Sequence, residues 1–362
     1  MTLEELFSIK IDKPDGKIRI KSKEKWDAVA KPIDGLGSFE AMISHMAEIQ
    51  RKTCPDIEKK AIIIMCADNG VFEEGVSQTN QKVTRDVAEL MGQKKSSVGT
   101  MAKGYPLDFF VYDVGINCED TPSGVIAAKV RKGTSNFVKG PAMTLDECLL
   151  AITTGIEAVK NRSRGGYGII ATGEMGIGNT TTSTALLCAL MGLNPAGVTG
   201  RGAGLSDSGL KKKAEVVQKG LELHRGDKKN SKIVTKEEAI DALMRLGGFD
   251  IAGLTGVFIG GALYHVPIVV DGLISAVAGL LAERLVPGSR DYMIPSHMGR
   301  EKGMEIVLGE LSLKPVIHAD LALGEGTGAI MLFPMLDMAM SLYLSGTEFN
   351  DTVIEQYERF DR

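Results

Sequence analysis

Cysteine is scarce: five residues among 362, odd in number and far apart (Cys54, Cys66, Cys118, Cys148, Cys188), exclude a disulfide framework. Most stand in apolar runs, so they read as buried free thiols of a reducing compartment, and a cytoplasmic protein is expected. The five histidines show no ligand spacing and no aspartate-rich cluster appears. Neither a zinc centre nor a magnesium–pyrophosphate site is therefore expected, and no cofactor. A strong charge of one sign is missing: 42 Lys and Arg face 46 Asp and Glu, with no basic stripe interleaved with aromatics, which excludes a nucleic-acid partner. Long apolar runs are lacking too. "VPIVVDGLISAVAGLLAERLV" is interrupted by Asp271 and Gly272, so no membrane span is expected. The opening stretch, MTLEELFSIKIDKPDGK, is polar and mixed in charge, unlike a signal peptide. No internal repeat is visible.

What is present is an ordinary globular composition, 44% hydrophobic and 24% charged, in a chain long enough for a large core. Short apolar runs recur, each followed by small or polar residues: Ala61–Cys66, Asp108–Tyr112, Tyr167–Ala171, Val266–Val270, Asp291–Ile294 and Pro315–Ile317. Runs without alternation fit strands buried on both faces, as in a parallel sheet covered by helices. Segments of helical composition lie between them at 144–160, 181–192, 208–223 and 272–285. This alternation predicts an α/β fold with a mostly parallel sheet and helices on both faces. Asp68, Asp113, Glu174, Asp271, His297 and Asp320 each follow a strand-like run. Singly, each is most simply a cap or turn former; together they outline one rim, where ligands bind in open α/β sheets. The two chain ends lack such strands. Ser38 is placed to cap an amphipathic helix through Met42, His45, Met46 and Ile49. Residues 1–60 with 331–362 are expected to form a small helical domain, and 61–330 a large α/β domain.

The stretch "GEMGIGNTTTSTA" (173–185) concentrates glycine, one carboxylate and helix-capping residues after a strand. Its backbone can approach a ligand closely, and Asn179 or Thr180 would cap a helix whose N-terminus favours an anion such as phosphate. A plain strand–helix turn is an equally good reading of those residues alone. The order G-x-x-G-x-G, with no second strand after the helix, is not a dinucleotide fingerprint, and Asn179 stands where a Walker loop needs lysine. "TGRGAGLSDSGLKKK" (199–213) repeats the design, with a cap at Ser206 or Asp207 and Lys211–Lys213, which by themselves read as a solvated face. In "LALGEGTGAIM" (321–331), Glu325 stands between Gly324 and Gly326, a poor setting for helix or strand. These residues point to an α/β enzyme for a small phosphorylated ligand.

"GEMGIGNTT", "GRGAGLSDSGLKKK", "GGFDIAGLTG", "VDGLISAVA" and "LGEGTGA", in this order along the chain, resemble the signatures of the nicotinate-nucleotide–dimethylbenzimidazole phosphoribosyltransferase family. "KPIDGLGSFE" and "ADNGVFEEGVS" are similar to two further family patterns. The resemblance implies a Rossmann-like large domain with a small helical domain from both termini. It implies transfer of 5-phosphoribose from nicotinate mononucleotide to a lower-ligand base for cobamide assembly. The leaving nicotinate is already activated as a pyridinium, so no metal-bound pyrophosphate is required. Inversion at C1′ gives an α-ribazole phosphate, and the acceptor must lose a proton as it attacks.

By the same resemblance Glu325 is the general base and Glu174 the second active-site glutamate. Gly176, Gly178, Asn179, Thr180, Gly202 and Lys213 are implied ribose-phosphate contacts. Asp271, on the ribose side, and Met175, Ser77, Gln81, Leu323 and Gly324 complete the implied substrate-binding set. The glycines beside Glu325 would let the backbone crowd a flat aromatic ring. A homodimer is implied, with a heterodimer of paralogues as the other arrangement. The chain departs from the family pattern at Asn69, where His is usual, at Ala322, where Arg is common, and across "SQTNQKVT" (77–84). These departures lie near the expected base pocket and leave the acceptor open among benzimidazoles, purines and phenols such as p-cresol. The other readings are a transferase for phenolic ligands working with a second subunit, a nucleotide-binding paralogue without turnover, and a generic NAD-binding protein.

Overall fold

A computed structural model describes residues 1–360. Six parallel strands form the central sheet: β1 (Lys60–Ala67), β2 (Leu107–Gly115), β3 (Ile126–Ala127), β4 (Ile169–Met175), β5 (Ile268–Val270) and β6 (Met293–Pro295), in the order β3-β2-β1-β4-β5-β6. All eight residues of β1 are buried. Ala61, Ile63 and Met65 face one core, with Ile152, Val257 and Leu280 from helices on that side. Ile62, Ile64 and Cys66 face a second core, with Ile43, Met91, Phe333 and Leu336. This is the physical meaning of the unalternating apolar run: each face of the strand has its own helical layer.

Chain order explains where a site can form. From β1 the chain builds outward through β2 and β3, then returns to place β4 on the other side of β1. Loops leaving β1 and β4 diverge at this switch point and open a crevice at their carboxyl ends. The register sets Met65 beside Glu174 and Cys66 beside Met175, so the strand ends are level there.

Several expectations need correction. The run at 315–317 does not join this sheet. It leads into β8 (Ile317–Leu321), which pairs with β7 (His297–Gly299) in a separate two-stranded sheet. His318, Ala319 and Asp320 of β8 are exposed, so this strand has no second layer to cover it. The run at 291–294 begins as a short helical turn, Ser289–Tyr292, before β6. Helix Ser38–Gln50 is capped by Gly37, not Ser38, which is its first residue. Cys66, Cys148 and Cys188 are buried, but Cys54 is exposed and Cys118 half-buried. One helix, Thr327–Ser345, is long and apolar enough to cross a membrane by length and composition, a feature missed in the sequence. Here its Leu332, Phe333 and Leu336 are packed in the second core.

Residues from the two chain ends touch. The rings of Trp26 and Tyr343 lie 4.7 Å apart, and the Tyr343 hydroxyl donates to the Thr53 carbonyl at 2.7 Å. Val29 and Glu348 form an antiparallel bridge. The first helix, Leu3–Ser8, is different: Leu6 is buried in the core on the other face of the sheet.

Candidate active site

A cleft of about 320 Å³ opens at the carboxyl ends of β4 and β5. Of the sequence-derived candidates, Glu325, Glu174, Met175, Gly176, Gly178, Asn179, Thr180, Gly202, Lys213, Asp271, Ser77, Leu323 and Gly324 all line it. Gln81 does not. It precedes helix Lys82–Gly92 and accepts a long bond from Asn117 Nδ2.

The rim divides. Glu174, Asp271 and His297 reach the cleft. Asp68 lies buried behind it, accepting the Thr84 hydroxyl at 2.7 Å and the Asn117 amide at 2.8 Å. Thr84 in turn accepts the Ile177 amide at 3.1 Å, which ties the glycine-rich turn to helix Lys82–Gly92. Asp113 is fully buried and serves its own turn, accepting the Ile116 amide and pairing with Lys129 at 3.2 Å. Asp320 is exposed and outside the cleft.

β4 continues through Met175, so Glu174 is the penultimate residue of a central strand. Helix Asn179–Met191 then begins with Gly178 as its cap, at φ +98°. Asn179 and Thr180 do not cap it, because the Asn179 amide is turned elsewhere: its Nδ2 donates to Glu174 Oε2 and to Asp250 Oδ2. The first-turn amides are also less open than the sequence suggests. Asn179 donates to the Gly176 carbonyl, and Thr181 and Thr182 donate to the Gly178 carbonyl. Among the described residues the Thr180 amide has no such bond.

Positive charge beside this turn comes from Lys213. The "KKK" run divides: Lys211 and Lys212 are exposed, whereas Lys213 is 1% exposed. Its ammonium donates to the Thr180 hydroxyl at 2.8 Å, and no carboxylate lies within 4 Å of it among the described residues. Burial pulls its pKa down to about 8, with the more distant Glu301 acting the other way. A desolvated cation without a partner is costly, and the cleft offers room for an anion to supply one.

The two glutamates are held differently. Burial pushes Glu174 up to about 8, helped by Asp250, Asp271 and Glu325, while the Asn179 bond opposes the shift. Glu325 is half-buried, and its Oε2 accepts the Val98 amide at 3.0 Å, a bond that suits a carboxylate. Residues 324–326 all have positive φ, and for Glu325 (+62°) this is a strained backbone. The flanking glycines pack against protein: a Cβ on Gly324 would stand 2.9 Å from Glu174 Oε1, and one on Gly326 2.8 Å from the Thr172 carbonyl. The Gly326 Cβ would also stand 2.5 Å from Ile62 Cδ1, so the contacts of the two glycines are with β1, β4 and the β4 glutamate. The loop is anchored by Asp271, whose oxygens accept the Gly326 amide at 3.2 Å and the Ala329 amide at 2.9 Å.

Asn69 does not line the cleft, contrary to expectation; it is fully buried behind the glycine-rich turn. Ala322 and residues 77–79 do line it, beside Val76, Val83, Val87 and Met175, which give that end an apolar wall. Asp250 and Glu301 were not identified as site residues from sequence, and His297 was reached only as part of the strand-end rim; their neighbours in space come from segments far apart in the chain.

The phosphoribosyltransferase family model matches residues 11–354. A curated relative from Acetivibrio thermocellus, named nicotinate-nucleotide–dimethylbenzimidazole phosphoribosyltransferase, is 41% identical over 93% of each chain. One of the same name from Clostridium acetobutylicum is 39% identical over 95% of this chain and 96% of its own. The crystal structure of CobT from Thermus thermophilus superposes with a TM-score of 0.85 at 33% identity, covering 94% of this chain and all of that one. The chain belongs to this phosphoribosyltransferase family.

Proposed function

We propose that this phosphoribosyltransferase moves the 5-phosphoribosyl group of nicotinate mononucleotide to dimethylbenzimidazole or a related lower-ligand base, releasing nicotinate. The observation that carries the reading is Lys213, a buried ammonium with no carboxylate partner among the described residues, at the edge of a cleft that also holds two glutamates. The 5-phosphate takes the place of the missing counter-ion, beside the Thr180 amide and hydroxyl and the turns at Gly176–Gly178 and Gly202. The flat acceptor occupies the wall of Val76, Val83, Val87, Met175 and Leu323, with Ser77 at its edge.

In the transfer, an acceptor ring nitrogen bonds to C1′ from the face opposite nicotinate. The C1′–nitrogen bond breaks, and its electron pair returns to the pyridine ring, which leaves without its positive charge. The acceptor's other nitrogen gives up its proton to the Glu325 carboxylate, a general-base step. Glu174, protonated near neutral pH, offers the sugar a hydrogen-bond donor and adds no negative charge to repel the phosphate. Asp271 lines the ribose side with both oxygens already engaged by backbone amides, so it acts through the Glu325 loop.

The test is nicotinate release from nicotinate mononucleotide by the purified chain. Dimethylbenzimidazole, adenine, phenol and p-cresol are supplied separately and the nucleotide product is identified. Release with dimethylbenzimidazole supports the reading. Release with phenols alone transfers the assignment to a phenolic acceptor, and nucleotide binding without release from any acceptor defeats the enzyme reading.

A further inference from the structure

The segment "GGFDIAGLTG" has no part in the cleft wall, yet its aspartate touches the machinery from behind. We propose that Asp250 is a positioning residue: from beneath the glycine-rich turn it pins the side-chain amide of Asn179 and, through it, the carboxyl of Glu174. The proposal rests on the transferase reading of the cleft.

Asp250 is fully buried in the first turn of helix Phe249–Tyr264. Its Oδ1 accepts the Ile251 amide at 3.0 Å, and its Oδ2 accepts Asn179 Nδ2 at 3.0 Å and Asn69 Nδ2 at 3.4 Å. No lysine, arginine or histidine pairs with it among the described residues. A buried carboxylate without a counter-ion lowers stability, and burial pushes this one up to about 6. An asparagine there would fill the same space and keep an acceptor for the Ile251 amide. What it would lose is an acceptor-only group facing Asn179. An amide nitrogen has two protons to give, and with a carboxyl on each side both are committed, so the side chain has one orientation. Glu174 is held by the second of those protons.

The packing is built around this carboxyl. A Cβ on Gly176 would stand 2.6 Å from Asp250 Oδ2, and one on Gly248 2.4 Å from Oδ1. Two glycines from distant segments leave room for one buried acid. Asn69 completes the surround: its Oδ1 accepts the Thr182 hydroxyl at 2.9 Å while its amide faces Asp250. A neutral amide here leaves Asp250 without a cation, whereas a protonated imidazole would supply one.

The ionisable groups facing Glu174 are Asp250 from helix Phe249–Tyr264, Asp271 after β5 with His297 against it, Glu325 from the loop before Thr327, and the Cys66 thiol on β1. Removing the charge of Asp250, or compensating it, lowers the pKa of Glu174. The experiment is steady-state kinetics of the full chain from pH 5.5 to 9.5, a range of about four units around neutrality, on wild type, Asp250→Asn and Asn69→His. For Asp250→Asn the expected result is a roughly tenfold fall in kcat, the scale of one hydrogen bond, with KM for nicotinate mononucleotide within about twofold. The limb of the kcat profile that reports Glu174 moves to lower pH. Asn69→His moves the same limb in the same direction with Asp250 intact, and so tests the link even where Asp250→Asn fails to fold. Unmoved profiles in the folded variants, with an active wild type, overturn the positioning role. An inactive wild type overturns the transferase reading instead.

Discussion

The ammonium of Lys213 donates to the hydroxyl of Thr180 at 2.8 Å, and that hydroxyl is its sole hydrogen-bond partner among the described residues. The pair joins the two glycine-rich segments, since Thr180 lies in the first turn of the helix after the first and Lys213 lies on the helix after the second. Lys213→Met keeps the apolar stem and removes the charge. It is expected to weaken nicotinate mononucleotide by about 10- to 100-fold, the range of a charge-assisted hydrogen bond. The free variant should be no less stable than wild type near pH 7, because the charge it loses was buried with no carboxylate partner among the described residues. Titration calorimetry and thermal melts read both effects.

The same lysine gives a pH dependence with a defined sign. Its folded pKa lies near 8, below its unfolded value of about 10.4. Between those values the unfolded chain binds more protons, so this group makes the free protein more stable as pH rises from 8 towards 10. A bound phosphate raises the folded pKa again, so binding takes up a proton above about pH 8. Affinity for nicotinate mononucleotide is therefore expected to fall from pH 8 to 9.5, and proton uptake to appear in calorimetry in buffers of different ionisation enthalpy. A flat affinity over that range would remove Lys213 from the phosphate site.

Glu325→Gln preserves shape and the bond from Val98 while removing the base. Turnover is expected to fall by about 10²- to 10⁴-fold, with the dissociation constant for nicotinate mononucleotide unchanged. Turnover near wild type would sink the general-base role.

The sheet was legible because β1 and β4 are apolar on both faces, a property written into consecutive residues. The helices at 145–164, 179–191, 207–225 and 273–285 were found within a few residues for a similar reason, since their composition is local, and the cap expected at Ser206 is the one the third of them uses. The pairing of β8 with β7 was not legible: a strand whose middle residues are exposed on both faces carries no apolar run. Most cleft residues were reached through signature segments. Asp250 was missed, although its motif was noticed, because its meaning lies in bonds to Asn179 and Asn69, 71 and 181 positions away. Asn69 was assigned to the base pocket by its neighbours in sequence, whereas the side chain folds under the turn.

Helix packing supplies a stability test away from the cleft. Helices Leu145–Arg164 and Phe249–Tyr264 approach through small residues: a Cβ on Gly155 would stand 2.0 Å from the Gly253 carbonyl, and one on Gly256 1.9 Å from the Ile152 carbonyl. Neither contact is with a flexible side chain, so the helices must separate. Gly155→Ala is expected to destabilise the fold by about 1–3 kcal/mol or more, read as a lower urea midpoint.

Asp271 offers a choice between two roles that one double-mutant cycle separates. Its carboxylate accepts the Gly326 and Ala329 amides, and so caps helix Thr327–Ser345 directly after the strained Glu325. Asp271→Ala removes both acceptors and is expected to cost about 1–2 kcal/mol of stability, the scale of a lost cap. If Asp271 acts by holding the loop, it lowers kcat only while Glu325 is present to be misplaced. In a Glu325→Gln background the same substitution should then change turnover by less than about twofold, a strongly non-additive pair. Additive losses, with a raised KM for nicotinate mononucleotide in both backgrounds, would mean that Asp271 touches the ribose itself.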